Sequence, residues 1–390
     1  MNTKNYTLSS LRKFVAPEYI YGFGSRNLVS RFAHNLSLSK ILLVTDSGVI
    51  KTGWVDEIIQ QLLSEGFAVT VFDNISPNPR DFEVMEGVRA FNNNQCDSIV
   101  AIGGGSAMDC AKGIGICVAN DQHILEFEGV DQVNIPAPPL ICLPTTAGTS
   151  ADVSQFCIIT DTTRHLKIAI VSKTTIPDVA LIDPEMTMTM PLNLTVETGL
   201  DALTHAIEAY VSNASSPMTD LNAIEAIKLI YKYMPKVYEN PENIEYRHQM
   251  MLASLYSGLA FSNASLGAVH SMAHSMGGLK DLPHGLCNSI LLDKVIDFNF
   301  NASSHKFKNI AEAFGLKTGA LTSQYIKTDL GKFMKDFKAS LNIDKRFGEF
   351  GLKENEIEQL SNNAIKDACT ATNPKKISVD DIKRIYELSI

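Results

Sequence analysis

Short β-branched runs alternate with amphipathic stretches through the first half of the chain, long segments of helical period fill the second, and 390 residues are too many for one comfortable core. Together these predict an α/β domain built on a parallel sheet, residues 1–185, followed by an all-helical domain, residues 186–390. The strands expected are ILLVTD (41–46), AVTVFD (68–73), SIVAI (98–102), PLICLP (139–144), CIITD (157–161), KIAIVS (167–172) and VALID (179–183). WVDEIIQQLLSEG and similar stretches between the early strands read as helices, so the sheet is expected to be doubly wound, with its ligand beyond the strand C-termini. From about residue 190, ETGLDALTHAIEAYV and MTDLNAIEAIKLIYKYM follow one another with almost no strand-like alternation. Ser216-Pro217 reads as an N-cap with Pro at the first helical position. Residues 249–279 carry no Asp, Glu, Lys or Arg. Their Ser, Asn, Gly and His predict a helix buried in a bundle rather than in lipid.

Composition narrows the functional classes. A hydrophobic fraction of 45% with 20% charged residues is ordinary for a soluble globular protein. The formal charge of −9 argues against nucleic acid or an anionic membrane surface as partner, since both reward clustered Lys and Arg. The N-terminal MNTKNYTLSSLRKFV lacks the apolar core of a signal peptide. Seven cysteines, odd in number and scattered through apolar segments, suit a reducing cytoplasm better than a disulfide framework.

AIGGGSAMDCAKGIG, residues 101–115, follows a strand directly and opens a helix. Gly103, Gly104 and Gly105 let backbone approach a ligand, and the free N–H groups of the helix favour a pyrophosphate there. Asp46, closing the first expected strand, is placed either to accept hydrogen bonds from an adenosine ribose, favouring NAD over NADP, or to cap the next helix. PTTAGTSAD (144–152) brings Thr145, Thr146 and Thr149 to the same edge. Three donor-rich loops at strand ends suit a dinucleotide.

GAVHSMAHSMGGLKDLPHG, residues 267–285, holds three of the nine histidines. His270 and His274 are four apart, hence on one helix face, and LDALTH repeats the geometry with Asp201 and His205. His284, between Pro283 and Gly285, is expected to close the set from a loop. Neutral imidazoles with a carboxylate and no thiolate suit Fe(II) or Zn(II). Spacing leaves five candidates, Asp201, His205, His270, His274 and His284, for a site that should keep a position open for substrate.

VTDSGVIKTG, IAIGGGSAMDCAKGIG, PTTAGTSADV, ALIDPEMT, TGLDALTHAIEAY, GLAFSNASLGAVHSMAHSMGG, LPHG and CTATNPKKISVDDIKRIY run in family order across essentially the whole chain. In these stretches it resembles the iron-containing alcohol dehydrogenases. The resemblance implies an N-terminal dinucleotide-binding domain, a C-terminal helical domain of dehydroquinate synthase-like architecture, and an active site in the cleft between them. It assigns the metal to Asp201, His205, His270 and His284, and leaves His274 for proton transfer. For NAD it implies Asp46 at the adenosine ribose, Gly103, Gly104, Gly105 and Ser106 at the pyrophosphate, and Thr145, Thr146, Thr149 and Lys167 along the dinucleotide, with Asp109 orienting the Gly turn. Phe261 and Cys369 fall where family members line the substrate pocket. One departure concerns residues 150–155, Ser-Ala-Asp-Val-Ser-Gln, where the family more often has Glu and then Thr; this leaves the substrate open.

The expected activity is metal-dependent hydride transfer between NAD(H) and a small primary alcohol or aldehyde, in a cytoplasmic homodimer or larger homo-oligomer. A glycerol-type polyol dehydrogenase and an NAD- and metal-dependent sugar-phosphate lyase share the architecture. The first usually has fewer His ligands; the second needs several cations at the metal, and residues 197–211 and 262–285 contain only Lys280.

Overall fold

The computed structural model describes residues 11–319 and 321–390, so most of the N-terminal stretch on which export was judged lies outside the described residues. Among the described residues there are nine strands: β1 (Glu18–Tyr21), β2 (Lys40–Val44), β3 (Ala68–Phe72), β4 (Ser98–Gly103), β5 (Gly129–Val130), β6 (Leu140–Pro144), β7 (Phe156–Asp161), β8 (Leu166–Val171) and β9 (Val179–Ile182). Six of them form one sheet in the order β1-β9-β6-β4-β2-β3, and every pair in it is parallel.

Alternation in these strands serves two buried faces, as a parallel sheet requires. Leu42, Val44, Ile99, Ala101, Leu140 and Cys142 join one apolar cluster with α4 (Asp81–Asn93) and α5 (Gly105–Asn120). Their neighbours Ile41, Leu43, Val100, Ile102, Ile141 and Leu143 join another with α1 (Val29–Asn35) and α3 (Trp54–Ser64). The chain steps from β2 outward to β3 and then returns to the other side of β2 as β4. Strand order therefore reverses between β2 and β4, and the crevice beyond their C-termini is where such sheets take a ligand.

Two expectations for the sheet change. β7 and β8 are antiparallel and leave the main sheet, forming a three-stranded sheet with β5. β1 and β5 were not anticipated: one is four residues and half exposed, the other two residues, too short for a periodic signal.

After β9 a 3-10 turn, Pro184–Thr189, leads into α6 (Leu192–Val211), α7 (Pro217–Glu239), α8 (Ile244–Ala264), α9 (Ala268–Lys280), α10 (His284–Asn299), α11 (Ser304–Ala313), α12 (Ser323–Ser340), α13 (Ile357–Ala364) and α14 (Val379–Glu387). The earlier short helix is α2 (Ser47–Ile50). Ser216 caps α7 as expected, accepting from Thr219 N with Pro217 next in line. The uncharged stretch 249–279 is two helices rather than one, broken where Ser265 adopts φ 60° before α9 starts. Its composition reflects burial on nearly every side, and among the described residues no helix is long and apolar enough to cross a membrane. A single cluster joins Ala147, Phe156 and Ile182 of the α/β part to Leu200, Leu203, Met272 and Met276 of the helices, so a shared core underlies the cleft.

Candidate active site

Asp201 and His205 stand one turn apart on α6, which is buried almost throughout. His270 comes from α9. His284 is the first residue of α10, with Pro283 at the N-cap, rather than a loop residue. Proline at the cap and a free first turn let the helix begin one residue after the loop. Asp201 Oδ1 lies 3.7 Å from Nε2 of His205, 3.7 Å from that of His270 and 3.7 Å from that of His284. All four ligand atoms are within 4.8 Å of one another. Donors about 2.1 Å from a tetrahedral ion would stand roughly 3.4 Å apart, so this set is sized for one divalent ion with small adjustment.

Protonation also fits. Burial pushes His205 down to about 4 and His284 well below the usual imidazole range, which leaves both as neutral donors. Burial works to raise the Asp201 carboxyl, yet His205, His284 and His270 together hold it well below the carboxylate range. His270 differs: burial lowers it, but hydrogen bonds with Asp201 and Glu208 carry it up to about 9. Asn288 Nδ2 lies 2.7 Å from Asp201 Oδ1 and 3.1 Å from Nε2 of both His270 and His284. The amide has two hydrogens, so it can serve two of these three atoms at a time, and each atom it serves must present a lone pair, as it would to a cation.

His274 stands apart from this set. Its Nδ1 is 2.8 Å from Asp367 Oδ2, its ring stacks on His284 at 5.3 Å, and among the described residues it forms a separate group with Asp367 and Cys369. Spacing could not separate His270 from His274, because the difference lies in partners on other elements, Asp201 and Glu208 for the one and Asp367, 93 residues further along, for the other.

A single cavity is lined by Asp201, His205, His270, His274 and His284 together with Gly105, Ser106 and Asp109 of α5, Thr149 and Lys167. Phe156, Ile158, Phe261 and Leu266 form its apolar wall. Phe261 stacks on His205 with centroids 4.2 Å apart. Cys369, expected on this wall, does not line the cavity: the 3-10 turn Ala368–Thr372 buries it behind Asp367, whose Oδ1 accepts its backbone N–H at 2.8 Å. Of the unusual 150–155 stretch, Ala151 and Ser154 face the cavity. Ser150 and Gln155 instead bond to Ser254 and Ser262 of α8.

The remaining dinucleotide candidates lie at the strand ends. Gly103 has φ 155°, and a Cβ there would stand 2.7 Å from Ala107 Cβ. A Cβ on Gly105 would stand 2.8 Å from Thr149 Cγ2, so only glycine keeps these two loops together. Gly104 is the N-cap of α5, and Thr145 N–H donates to Gly103 O at 2.9 Å. Thr146 packs against Gly104. Asp46 caps α2, its Oδ1 accepting from Gly48 N at 2.8 Å and Val49 N at 3.1 Å. Its Oδ2 faces Gly103. Cap and ribose acceptor are thus compatible roles for one carboxylate.

Lys167 Nζ donates to Asn78 Oδ1 at 2.5 Å, and burial holds its ammonium below the usual lysine value. Loss of water raises Asp109 to about 7 against the opposing pull of Lys112. Four polar residues at the site escaped the sequence reading: Glu208, Asp367, Asn288 and Asn78. Glu208 could have been found, three residues past His205 on the same helix face. Asn288 is four past His284 and would have followed from a helical His284; Asn78 and Asp367 carry no local signal.

Two matches with known proteins cover nearly all of this architecture. Residues 16–184 match the iron-containing alcohol dehydrogenase family, and residues 195–390 match the Fe-containing alcohol dehydrogenase family C-terminal domain. The chain is 38% identical to an NAD-dependent methanol dehydrogenase of Bacillus methanolicus, covering 96% of this chain and 98% of that one. It is 38% identical to a 1,3-propanediol dehydrogenase of Citrobacter freundii over 94% of this chain and 95% of that one. The crystal structure of a 1,3-propanediol oxidoreductase superposes with a TM-score of 0.94 at 36% identity, covering 97% of this chain and 100% of that one. The chain belongs to the iron-containing alcohol dehydrogenase family and is an oxidoreductase.

Proposed function

We propose that the protein catalyses reversible hydride transfer between NAD(H) and a small primary alcohol or aldehyde, with Asp201, His205, His270 and His284 holding one divalent ion. The observation that carries this reading is the single cavity that joins the N-terminus of α5 to all four donors. Fe(II) is the ion we assign in the cell, with Zn(II) acceptable to the same donors. When bound, the ion supplies Lewis-acid stabilisation of alkoxide or carbonyl oxygen.

The chain's own residues do the rest. The first turn of α5 and Gly103–Gly105 receive the pyrophosphate on backbone N–H groups, and Asp46 Oδ2 receives the adenosine ribose. Ser106, Asp109, Thr145, Thr146, Thr149 and Lys167 line the dinucleotide's path. His274, whose Nδ1 is committed to Asp367, keeps Nε2 free to take the hydroxyl proton in oxidation and return it in reduction. Phe156, Ile158, Phe261 and Leu266 keep water from the hydride's path.

The division into residues 1–185 and 186–390, with the site between them, accords with the end of β9 at Ile182 and the start of α6 at Leu192. Seven free, buried cysteines suit a cytoplasmic setting. The family resemblance leads us to propose a homodimer or larger homo-oligomer. The lyase alternative gains no support: Lys280 is engaged by Glu356 at 2.7 Å and Lys167 by Asn78.

The test is to strip the metal without oxygen, reload with Fe(II) or Zn(II), and follow NADH oxidation against short aldehydes. Activity that returns only on reloading is the expected result. NADH binding with no aldehyde turned over by either metal would overturn the assignment.

A further inference from the structure

The two histidines of α9 are alike in sequence and burial, and both are held through Nδ1 by a buried carboxylate from another part of the chain. His270 is held by Glu208 of α6, with Nδ1 to Oε2 at 2.6 Å, and His274 by Asp367. Each carboxylate also accepts a backbone N–H on its second oxygen, Asp367 from Cys369 in its own turn, but Glu208 from the helix that carries its histidine. The second oxygen of Glu208, Oε1, accepts the backbone N–H of Val269 at 2.7 Å. Gly267, the N-cap of α9, has no side chain for that purpose, and Asn373 Oδ1 takes the adjacent N–H of Ala268 at 3.1 Å. Glu208 is 4% exposed and has both oxygens committed to α9.

We propose that Glu208 is a positioning residue for the metal, one that makes His270 a ligand by fixing its proton on Nδ1 and its ring against the start of α9. This rests on the metal reading given above. A carboxylate can only accept, so with Glu208 ionised the His270 proton must sit on Nδ1, and Nε2 presents its lone pair toward Asp201. The backbone bond makes the arrangement rigid: Oε1 cannot leave Val269 N–H without exposing an unpaired donor in a dry interior.

Glu208→Gln separates this from a merely structural role. Glutamine has one acceptor. If it serves Val269 N–H, its NH2 faces His270 Nδ1 and is satisfied only when the proton moves to Nε2, the ligating atom. The variant is nearly the same shape, yet it is expected to favour the wrong tautomer.

The experiment compares Zn(II) affinity of metal-stripped full-length wild type, Glu208→Gln and Asp367→Asn by competition with a chromophoric chelator, and reads histidine tautomers in the metal-free proteins by 15N NMR at a pH high enough that each imidazole carries a single proton. Wild type should show His270 protonated on Nδ1, and Glu208→Gln should lose about 10- to 100-fold in affinity with the His270 proton on Nε2. Asp367→Asn, acting on a histidine outside the set, should stay within about twofold, the scatter of such comparisons. Affinity of Glu208→Gln within that same margin, or an equal loss in Asp367→Asn, overturns the proposal. If Glu208→Gln does not fold, the wild-type spectrum still decides, because His270 protonated on Nε2 overturns it too. Wild type that binds no zinc sinks the metal reading, and this proposal with it.

Discussion

The two ends of the cavity are made of different materials. At the α6–α9–α10 end the chemistry lies in side chains: one carboxylate and three imidazoles, buried and converging within 4.8 Å. At the α5 end it lies in backbone: a glycine at φ 155°, the N–H groups of a helix start, and loops packed so closely that a methyl group would not fit between them. Side-chain sites are specified by residue type and helical spacing, backbone sites by the absence of side chains. A substitution should therefore remove a ligand at one end and insert an obstacle at the other.

The largest effect should come from removing a donor. His270→Ala is expected to lower turnover by at least about 10³-fold, since Lewis-acid stabilisation is worth several kcal/mol. NADH binding, read by fluorescence, should barely change, and an equal loss at both ends would collapse the distinction between them. Next comes the inserted obstacle. Gly105→Val drives its side chain into Thr149, and overpacking of about 1–3 kcal/mol predicts a 10- to 100-fold loss in NADH affinity. Zn(II) affinity should be retained, and its loss would mean that the ends are mechanically one.

Asp46 sharpens the contrast, because it is a side chain in the backbone-built half that has a charge to lose. Asp46→Ala should cost about 1 kcal/mol of stability as a lost cap and also narrow the preference for NAD over NADP. Asp46→Asn keeps a capping oxygen, so it should narrow the preference with little change in unfolding temperature. An unchanged NAD to NADP ratio of kcat/KM in both variants would reduce Asp46 to a cap.

The smallest effect is a pH dependence. Asp109 is raised from 3.8 to about 7 by loss of water, so between those values the folded state binds the extra proton. Its contribution to stability is present below 3.8 and lost as pH rises to about 7. Metal-free Asp109→Asn should show a flatter decline in unfolding temperature across that window, by about 1 °C, which is what 1 kcal/mol moves in a protein this size. A slope identical to wild type would contradict it.

The same division explains what the sequence made legible. Asp201, His205, His270 and His284 could be nominated because helical period turns spacing into direction. His274 could not be set apart by spacing, since what distinguishes it is Asp367, far along the chain. The Gly turn was visible as composition, while the packing of Gly105 on Thr149 was not. β7 and β8 read as apolar runs like those of the main sheet, and only their antiparallel pairing, a non-local choice, takes them out of it. Cys369 followed the family pattern by position, but the 3-10 turn that carries it leaves it buried and out of the cavity's lining.

The start of α9 bears on when the site comes into being. Its first amides are held by Glu208, 61 residues before Val269, and by Asn373, 105 residues after Ala268. His274 waits for Asp367 in the same way. A fragment ending before Asp367 would contain every metal donor and Glu208, but lack the carboxylate that aims His274 and the Asn373 oxygen that holds the first amide of α9. Contacts so distant in sequence are slow to form, so metal capture is expected to be a late event in folding, and a metal supplied to the nascent chain would find ligands but no site.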